Sequence, residues 1–523
     1  MKTPGEALVQ LKTVFGKRHA AAFLATFVTG LLTHLPVMLS DLPNHDGLAS
    51  MYFDQNMITS GRWFLTVACG FSSYFTVPWV IGLIGLLFLG LTSAVLTELL
   101  ELKNTASIVL CGAMLAAFPA LASTFAYVFT LDGYMMAMLL AALSVLLTKK
   151  GKWGFLFGAV CLAFSLGIYQ AYLPFAMLLC IYQVILLLES GSWKADKKGT
   201  LAWIGRYLGM GVLGFVLYYL ILRVLLLIQG KELASYQGIG QAGSGAGQGL
   251  LESLKEIYVD FWKFTLAGHI LWQNVFSAVA LGLLALVMIY AVIRMATIQK
   301  WWKAPGFYGI LIGLFVVLPP CTSCIRLVSP ELTYHLLMRY QWVLYPMFAL
   351  AICDKYFEGE GKTDRFLAQA QWTLLAAACT LVFCHALADN IGYSNLEKKY
   401  ERTYAYCVRL LDRIEQTEGY YQGIPVAMIG VVGEDAFPKT DLTGEVTGNM
   451  IGLSGEYLLY TGDNYEAFIK NYLGASLNIV DAEAMGEIYF KDEYVAMDSF
   501  PGPNSTKVVD GVLYVKTENK RRD

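Results

Sequence analysis

Apolar residues in this chain come in long unbroken runs, not in alternation and not on a single helical face. Runs near 20–40, 79–99, 106–122, 132–148, 153–168, 173–189, 205–229, 271–295, 306–322, 338–353 and 370–389 approach the roughly 20 residues with which an α-helix crosses a hydrocarbon core about 30 Å thick. The pattern predicts an α-helical polytopic membrane protein with about eleven transmembrane helices. Basic residues mark alternate connections: Lys2, Lys12, Lys17 and Arg18; Lys149, Lys150 and Lys152; Lys194, Lys197, Lys198 and Arg206; Arg294, Lys300 and Lys303; Lys355, Lys362 and Arg365. By the positive-inside rule these are cytoplasmic. An odd number of crossings then puts the amino terminus inside and residues 390–523 outside. The first run follows Arg18 and has no small-residue cleavage site behind it, which reads as an uncleaved first helix.

The expected outer loops at 41–78, 229–270 and 320–338 are long, so the working surface is expected to face outward. In the first, Leu48, Met51, Tyr52, Gln55 and Ile58 recur at helical spacing and predict a helix lying at the membrane surface. Phe71, Tyr74, Phe75 and Trp79 would continue it as an interfacial belt. The glycine-rich stretch 236–250 reads as a flexible lid or tether. Glycine also lets backbone N–H groups approach an anion, but the phosphate-loop signature G-x-x-x-x-G-K-[ST] is missing. ESLKEIYVDFWKF then predicts a short amphipathic helix. After the last run, Leu396, Tyr400, Tyr404, Cys407, Leu411 and Ile414 follow at steps of three and four and predict another. IPVAMIGVVG predicts a buried strand, YEAFIKNYLG a helix, and KVVDGVLYVK two short strands around an Asp-Gly turn. The expected division is a transmembrane part, 1–390, and a small extracytoplasmic α/β domain, 391–523.

Composition acts mainly by exclusion. Of 523 residues, 56% are hydrophobic and 15% charged, with a mean hydropathy of +0.53, more apolar surface than a soluble chain could bury. A net charge of -2 supplies no field for nucleic acid, and no basic tract with interleaved aromatics appears. Of the ten cysteines, most lie in or beside apolar runs, where a thiol packs as a small hydrophobe. Cys321 and Cys324 form a C-x-x-C that reads as packing thiols or a disulfide, because no second pair completes a zinc site.

Ionisable residues at membrane depth are costly, so they mark function. On the expected outer side these are Asp41, His45, Asp46, Arg62, Asp132, Arg326, Glu331, His335 and Arg339. Asp46, just past the first helix, suits a carboxylate that takes a proton from a sugar hydroxyl. Asp41 and Asp46 also suit capping or solvating a turn. Arg62 can hold a phosphate bidentately, and Trp63 can stack on a sugar face or sit in the aromatic belt. Arg339 and Arg326 stand where a lipid phosphate would lie, a place that snorkelling explains as well. Asp132 opens a helix. Tyr169, Gln170 and Tyr172 make a tight outer turn whose rings and amide suit a carbohydrate-binding wall. His335 packs or hydrogen-bonds in its loop, and His269 is the histidine that could join it on a metal.

Asn44-His45-Asp46, Ser60-Gly61-Arg62-Trp63, Asp132-Gly133 and above all Gly167-Ile168-Tyr169-Gln170-Ala171-Tyr172 resemble the Gtr type II membrane glucosyltransferases of the GT-C superfamily, over about residues 15–390. The resemblance implies a GT-C-like fold in a bacterial cell membrane. It also implies transfer of a sugar from a polyprenyl-phosphate carrier, at the outer leaflet, to a surface glycan. Such enzymes place an essential acid in the first outer loop, a role that falls on Asp46. Members often carry two acids side by side there, whereas this chain has His45 before Asp46, which leaves Asp41 or Asp132 as the second.

The expected function is thus an inverting glycosyltransferase, with Asp46 as base and Arg339, Arg62 and Arg326 on the donor phosphate. His45, Trp63, Tyr169, Gln170, Tyr172 and His335 would line the sugar and acceptor. No cofactor is required by this reading, and a divalent cation, Mg or Mn, is left open. The rivals are a lipid or polysaccharide flippase, which would need broken helices, polar groups near the midplane and an internal repeat, and a non-catalytic envelope assembly protein.

Overall fold

The computed structural model describes residues 3, 5–6, 15–50, 54–70, 76–190, 196–234, 250–267, 274–298, 300–303, 305–328, 333–359, 365–429, 447, 450–454, 458–459 and 461–518. Its helices run in the order α1 (Lys17–Met38), α2 (His45–Ser50), α3 (Leu65–Ala68), α4 (Pro78–Leu99), α5 (Thr105–Ala117), α6 (Pro119–Phe125), α7 (Leu131–Lys150), α8 (Gly154–Ile168), α9 (Leu173–Glu189), α10 (Lys197–Gln229), α11 (Leu250–Ala267), α12 (Val275–Ile298), α13 (Pro305–Thr322), α14 (Ile325–Val328), α15 (Leu344–Gly359) and α16 (Arg365–Glu415). In their described residues the eleven apolar runs fall mainly on these helices. Seven of the described helices are long and apolar enough to cross a membrane, or eight if α5 and α6, bent by 42° at Phe118, form one crossing. Among the described residues the count by length is therefore below eleven. α8 has 15 residues and α15 is described over 16. Part of the run at 338–353 is spent on a 3-10 turn, Tyr340–Val343.

In the bundle α7 packs between α4 and α8, α1 lies against α4 and α5, and α12 lies against α15 and α16. The bend follows from Pro119, which has no N–H to offer the carbonyl one turn earlier. The Leu115 carbonyl instead accepts from the Tyr340 hydroxyl (2.5 Å), and the Ala116 carbonyl is 2.8 Å from His34 Nε2. Backbone groups freed at membrane depth must find such partners.

α16 continues without interruption from its apolar run into the amphipathic stretch, burying Leu396, Tyr406, Cys407, Leu410 and Ile414. A four-stranded sheet follows: β1 (Pro425–Ile429), β2 (Asn478–Ile479), β3 (Thr506–Val509) and β4 (Val512–Lys516), in the order β2-β1-β4-β3. β1 is parallel to β2 and β4, and β3–β4 is a hairpin. Asp510 and Gly511 turn it with φ of +50° and +77°, the left-handed pair expected of an Asp-Gly turn. Helices α17 (Gly462–Phe468), α18 (Ala482–Tyr489) and α19 (Asp492–Val495) complete this C-terminal unit.

The first loop differs from the expected surface helix. α2 is described as far as Ser50, Gln55 is left-handed (φ +57°), and Met57 bridges Arg62 around the 3-10 turn Ile58–Ser60. Leu48 is buried in the core of the C-terminal unit, away from the lipid surface that its spacing suggested. Met51, Tyr52, Phe71, Tyr74, Phe75, residues 236–249, His269 and Glu331 lie outside the described residues.

Candidate functional site

Two glycines explain why the most distinctive motifs meet. Gly61 turns with φ +79°, and a Cβ there would stand 2.6 Å from both Gln170 Nε2 and the Tyr218 hydroxyl. A Cβ on Gly167 would stand 2.5 Å from the Trp63 ring. The backbones of the two motifs therefore approach as only glycine permits. Phe64 N–H donates to the Gly167 carbonyl (2.7 Å) and Gln170 Nε2 to the Ser60 carbonyl (3.1 Å). Gln170 also donates to Tyr218, whose hydroxyl donates to the Gly61 carbonyl. Trp63 packs edge-on against Phe164, and its Nε1 has no hydrogen-bond partner among the described residues; the same holds for the Tyr172 hydroxyl.

Arg62 points from this junction into a group of tyrosines. Its Nη1 donates to the Tyr134 hydroxyl (3.1 Å), and its guanidinium lies 4.8 Å over the Tyr169 ring. Tyr169 stacks flat on Tyr134, with ring centroids 4.2 Å apart, and meets Tyr172 edge-on. Arg62, Tyr134, Tyr127 and Tyr334 all lie within electrostatic reach of Tyr169. Tyr334 in turn supports the second basic group, because the Arg339 guanidinium sits 3.9 Å over its ring and 4.4 Å over Phe264.

Arg339 is buried, and it is already engaged. Its Nη1 and Nη2 donate to Asp260 Oδ2 and Oδ1 (2.8 and 2.7 Å), and its Nε donates to the Tyr334 carbonyl. Arg326 reaches the same carboxylate from 3.3 Å. Two guanidinia thus surround one carboxylate, leaving one unit of positive charge. Asp260, Tyr334, Tyr134 and Tyr218 were not among the residues singled out from sequence. Asp260 lies in the amphipathic stretch that became α11, where an acid between Val259 and Phe261 was the available signal. His335 is half-buried at the start of the 3-10 turn Leu336–Met338.

The three candidate acids have different surroundings. Asp46 is in the first turn of α2, with its side chain 57% exposed and 3.5 Å from His45 Nε2. Its charge acts on the Tyr134 hydroxyl. The cap of α2 is supplied by Asn44, whose Oδ1 accepts from Gly47 N–H (2.8 Å) and whose Nδ2 donates to the Ala126 carbonyl. Asp41 accepts from the Tyr472 hydroxyl (3.3 Å). Loss of hydration in that contact raises its pKa, and the Tyr472 hydrogen bond partly offsets the rise. Asp132 is 0% exposed, accepts from Gly133 N–H and faces Cys69. Burial, then the charge of Asp132, holds that thiol well above its usual range.

Among the described residues no three His, Cys, Asp or Glu side chains converge as a metal would need. Cys321 and Cys324 are free thiols. A different polar group lies at the α5–α6 bend: His385 stacks edge-on against Phe118, and one turn along α16 lies Asp389, which is 0% exposed. Neither side chain has a hydrogen-bond partner among the described residues.

Residues 35–353, more than half of the chain, match the family model described as glucosyl transferase GtrII. No curated protein and no solved structure matches.

Proposed function

Because the chain belongs to the GtrII glucosyl transferase family, and its apolar helices make it a membrane protein, we propose the following activity. It moves a sugar, glucose on the family's name, from a polyprenyl-phosphate carrier to a surface glycan at the outer face of a bacterial cell membrane. The observation that carries this reading is the convergence of Arg62, Trp63, Tyr134, Tyr169, Gln170 and Tyr172 from three separated motifs. Flat rings with unspent N–H and O–H donors suit a sugar, whose C–H faces stack and whose hydroxyls accept.

On this reading Asp46 is the base. Asp132 is buried and the exposed Asp41 accepts from Tyr472, whereas Asp46 is exposed and its charge acts on the Tyr134 hydroxyl, so it can reach an acceptor hydroxyl. It removes that proton as the oxygen attacks the anomeric carbon, the carbon–phosphate oxygen bond breaks on the opposite face, and the configuration inverts. The departing phosphate takes its charge to Arg62 and to the net positive Arg339–Asp260–Arg326 group.

The test is purified protein in a bilayer with polyprenyl-phosphate glucose and an acceptor glycan. Transfer to the acceptor is the expected result. Movement of the lipid between leaflets without transfer would instead establish a flippase, the reading favoured by the broken α5–α6 span and the buried His385 and Asp389.

A further inference from the structure

The C-terminal unit lies outside the family match, which ends at residue 353, yet it holds the loop that carries Asp46. We propose that it is a working part of the transferase, and that Leu48, Asn464 and Tyr472 are positioning residues for Asp46. This rests on the reading of Asp46 as the base. α2 is described over six residues and the chain is no longer helical at Asp54, so it stays short of the roughly 12–15 residues at which an isolated helix becomes even marginally stable in water. Its geometry must therefore come from what it packs against.

Three contacts supply that geometry. Leu48, 2% exposed, inserts into the cluster formed by Leu410, Phe468 and their neighbours. Asn464 Nδ2 donates to the His45 carbonyl (3.4 Å), immediately before Asp46, and α17, which carries Asn464, packs on α2. The Tyr472 hydroxyl donates to Asp41 at the start of the loop (3.3 Å). Asp46 is thus flanked on both sides by residues fixed to the C-terminal unit, while its own carboxylate stays exposed. The membrane bundle holds the same loop through Asn44 on the Ala126 carbonyl. The base is therefore set between two bodies, and loosening either one moves it relative to the donor.

A displacement of about 1 Å in a reacting group can cost on the order of 100-fold in rate. Full-length protein in bilayers should accordingly show a kcat reduced roughly 10- to 100-fold in Leu48→Ala and in the pair Asn464→Ala/Tyr472→Phe. The KM for polyprenyl-phosphate glucose should change little, because the proposed donor contacts lie in the bundle. Leu48→Met, which refills the pocket, should restore most of the rate. In an Asp46→Asn background the same substitutions should cause no further loss, which a general weakening of the fold would not predict.

Should Leu48→Ala fail to fold, the Asn464/Tyr472 pair decides, since it removes polar contacts and little packed volume. Unchanged hydrogen exchange in β1 and β4 would certify its fold. Wild-type kcat in that pair, or an equal loss in the Asp46→Asn background, overturns the positioning role. Normal turnover in Asp46→Asn alone is a separate outcome that removes the base assignment and this inference with it.

Discussion

A carboxylate works as a general base only if it is ionised, exposed to the acceptor and held still. Asp46 meets the exposure condition, whereas Asp132 is sealed against Cys69 and Asp41 is spoken for by Tyr472. Asp46→Asn keeps size and polarity but takes no proton, so turnover should fall about 10²- to 10⁴-fold with donor binding retained, as measured by initial rates and a lipid-binding titration. Loss on Asp132→Asn with Asp46→Asn unimpaired would move the role inward. Arg339 raises a different question, because its fork is closed on Asp260. Breaking a buried pair strands its partner, and Arg339→Ala should cost about 3 kcal/mol in a detergent melt. Since Arg326 shares that carboxylate, the triple variant Asp260→Leu/Arg339→Met/Arg326→Met should regain most of that stability while leaving donor affinity low. If affinity is normal in the triple variant, the group is structural only. The sequence pointed to Arg339 through its depth but could not show Asp260, because the two stand 79 residues apart. Gly61 and Gly167 were legible as motif members, and their reason, contact with Gln170, Tyr218 and Trp63, appears only in three dimensions.

At the scale of elements, the apolar runs identified the helices, and the Asp-Gly turn identified its hairpin, because both signals are local. What hydropathy could not show is where a run bends. The run at 106–122 contains Pro119, and the freed Leu115 carbonyl is taken by Tyr340, 225 residues away. Tyr340→Phe removes that donor and should destabilise by about 1–3 kcal/mol, the usual cost of a buried unsatisfied group. Pro119→Ala restores an N–H where the carbonyl wants one, so the double variant should lose less than the sum of the singles. Strict additivity in thermal melts would mean that the hydroxyl and the bend are unrelated. The helical spacing read over 48–58 does not hold as one face, because Gln55 is left-handed and Ile58 lies in a 3-10 turn, and Leu48 on α2 packs on protein where a lipid surface was expected. A buried leucine looks alike in sequence whether lipid or protein covers it, and the covering residues here come from beyond residue 400.

For the whole molecule, the alternation of basic connections remains the argument for orientation, since the positive-inside rule depends on where Lys and Arg stand and not on how many helices pass a length test. The structure adds a constraint of its own. The C-terminal unit touches the first loop through Leu48, Asn464 and Tyr472, so both must lie on one side of the membrane, opposite the Lys149–Lys152 turn at the far end of α7. The ion pairs that Glu101 makes with Lys149 and Lys355 gather three of the connecting segments at that far end, where the basic residues expected inside are found. Orientation can be read by labelling with a membrane-impermeant maleimide in a Cys379→Ser background, which removes the exposed cysteine described on α16. A cysteine at Lys507, exposed on β3, should react from outside in intact cells, and one at Lys198, exposed near the start of α10, should react only after the membrane is opened. The reverse pattern would turn the molecule over and deny Asp46 an outer-leaflet donor. Reaction at both sites would instead mean that an odd number of crossings does not separate α10 from the C-terminal unit.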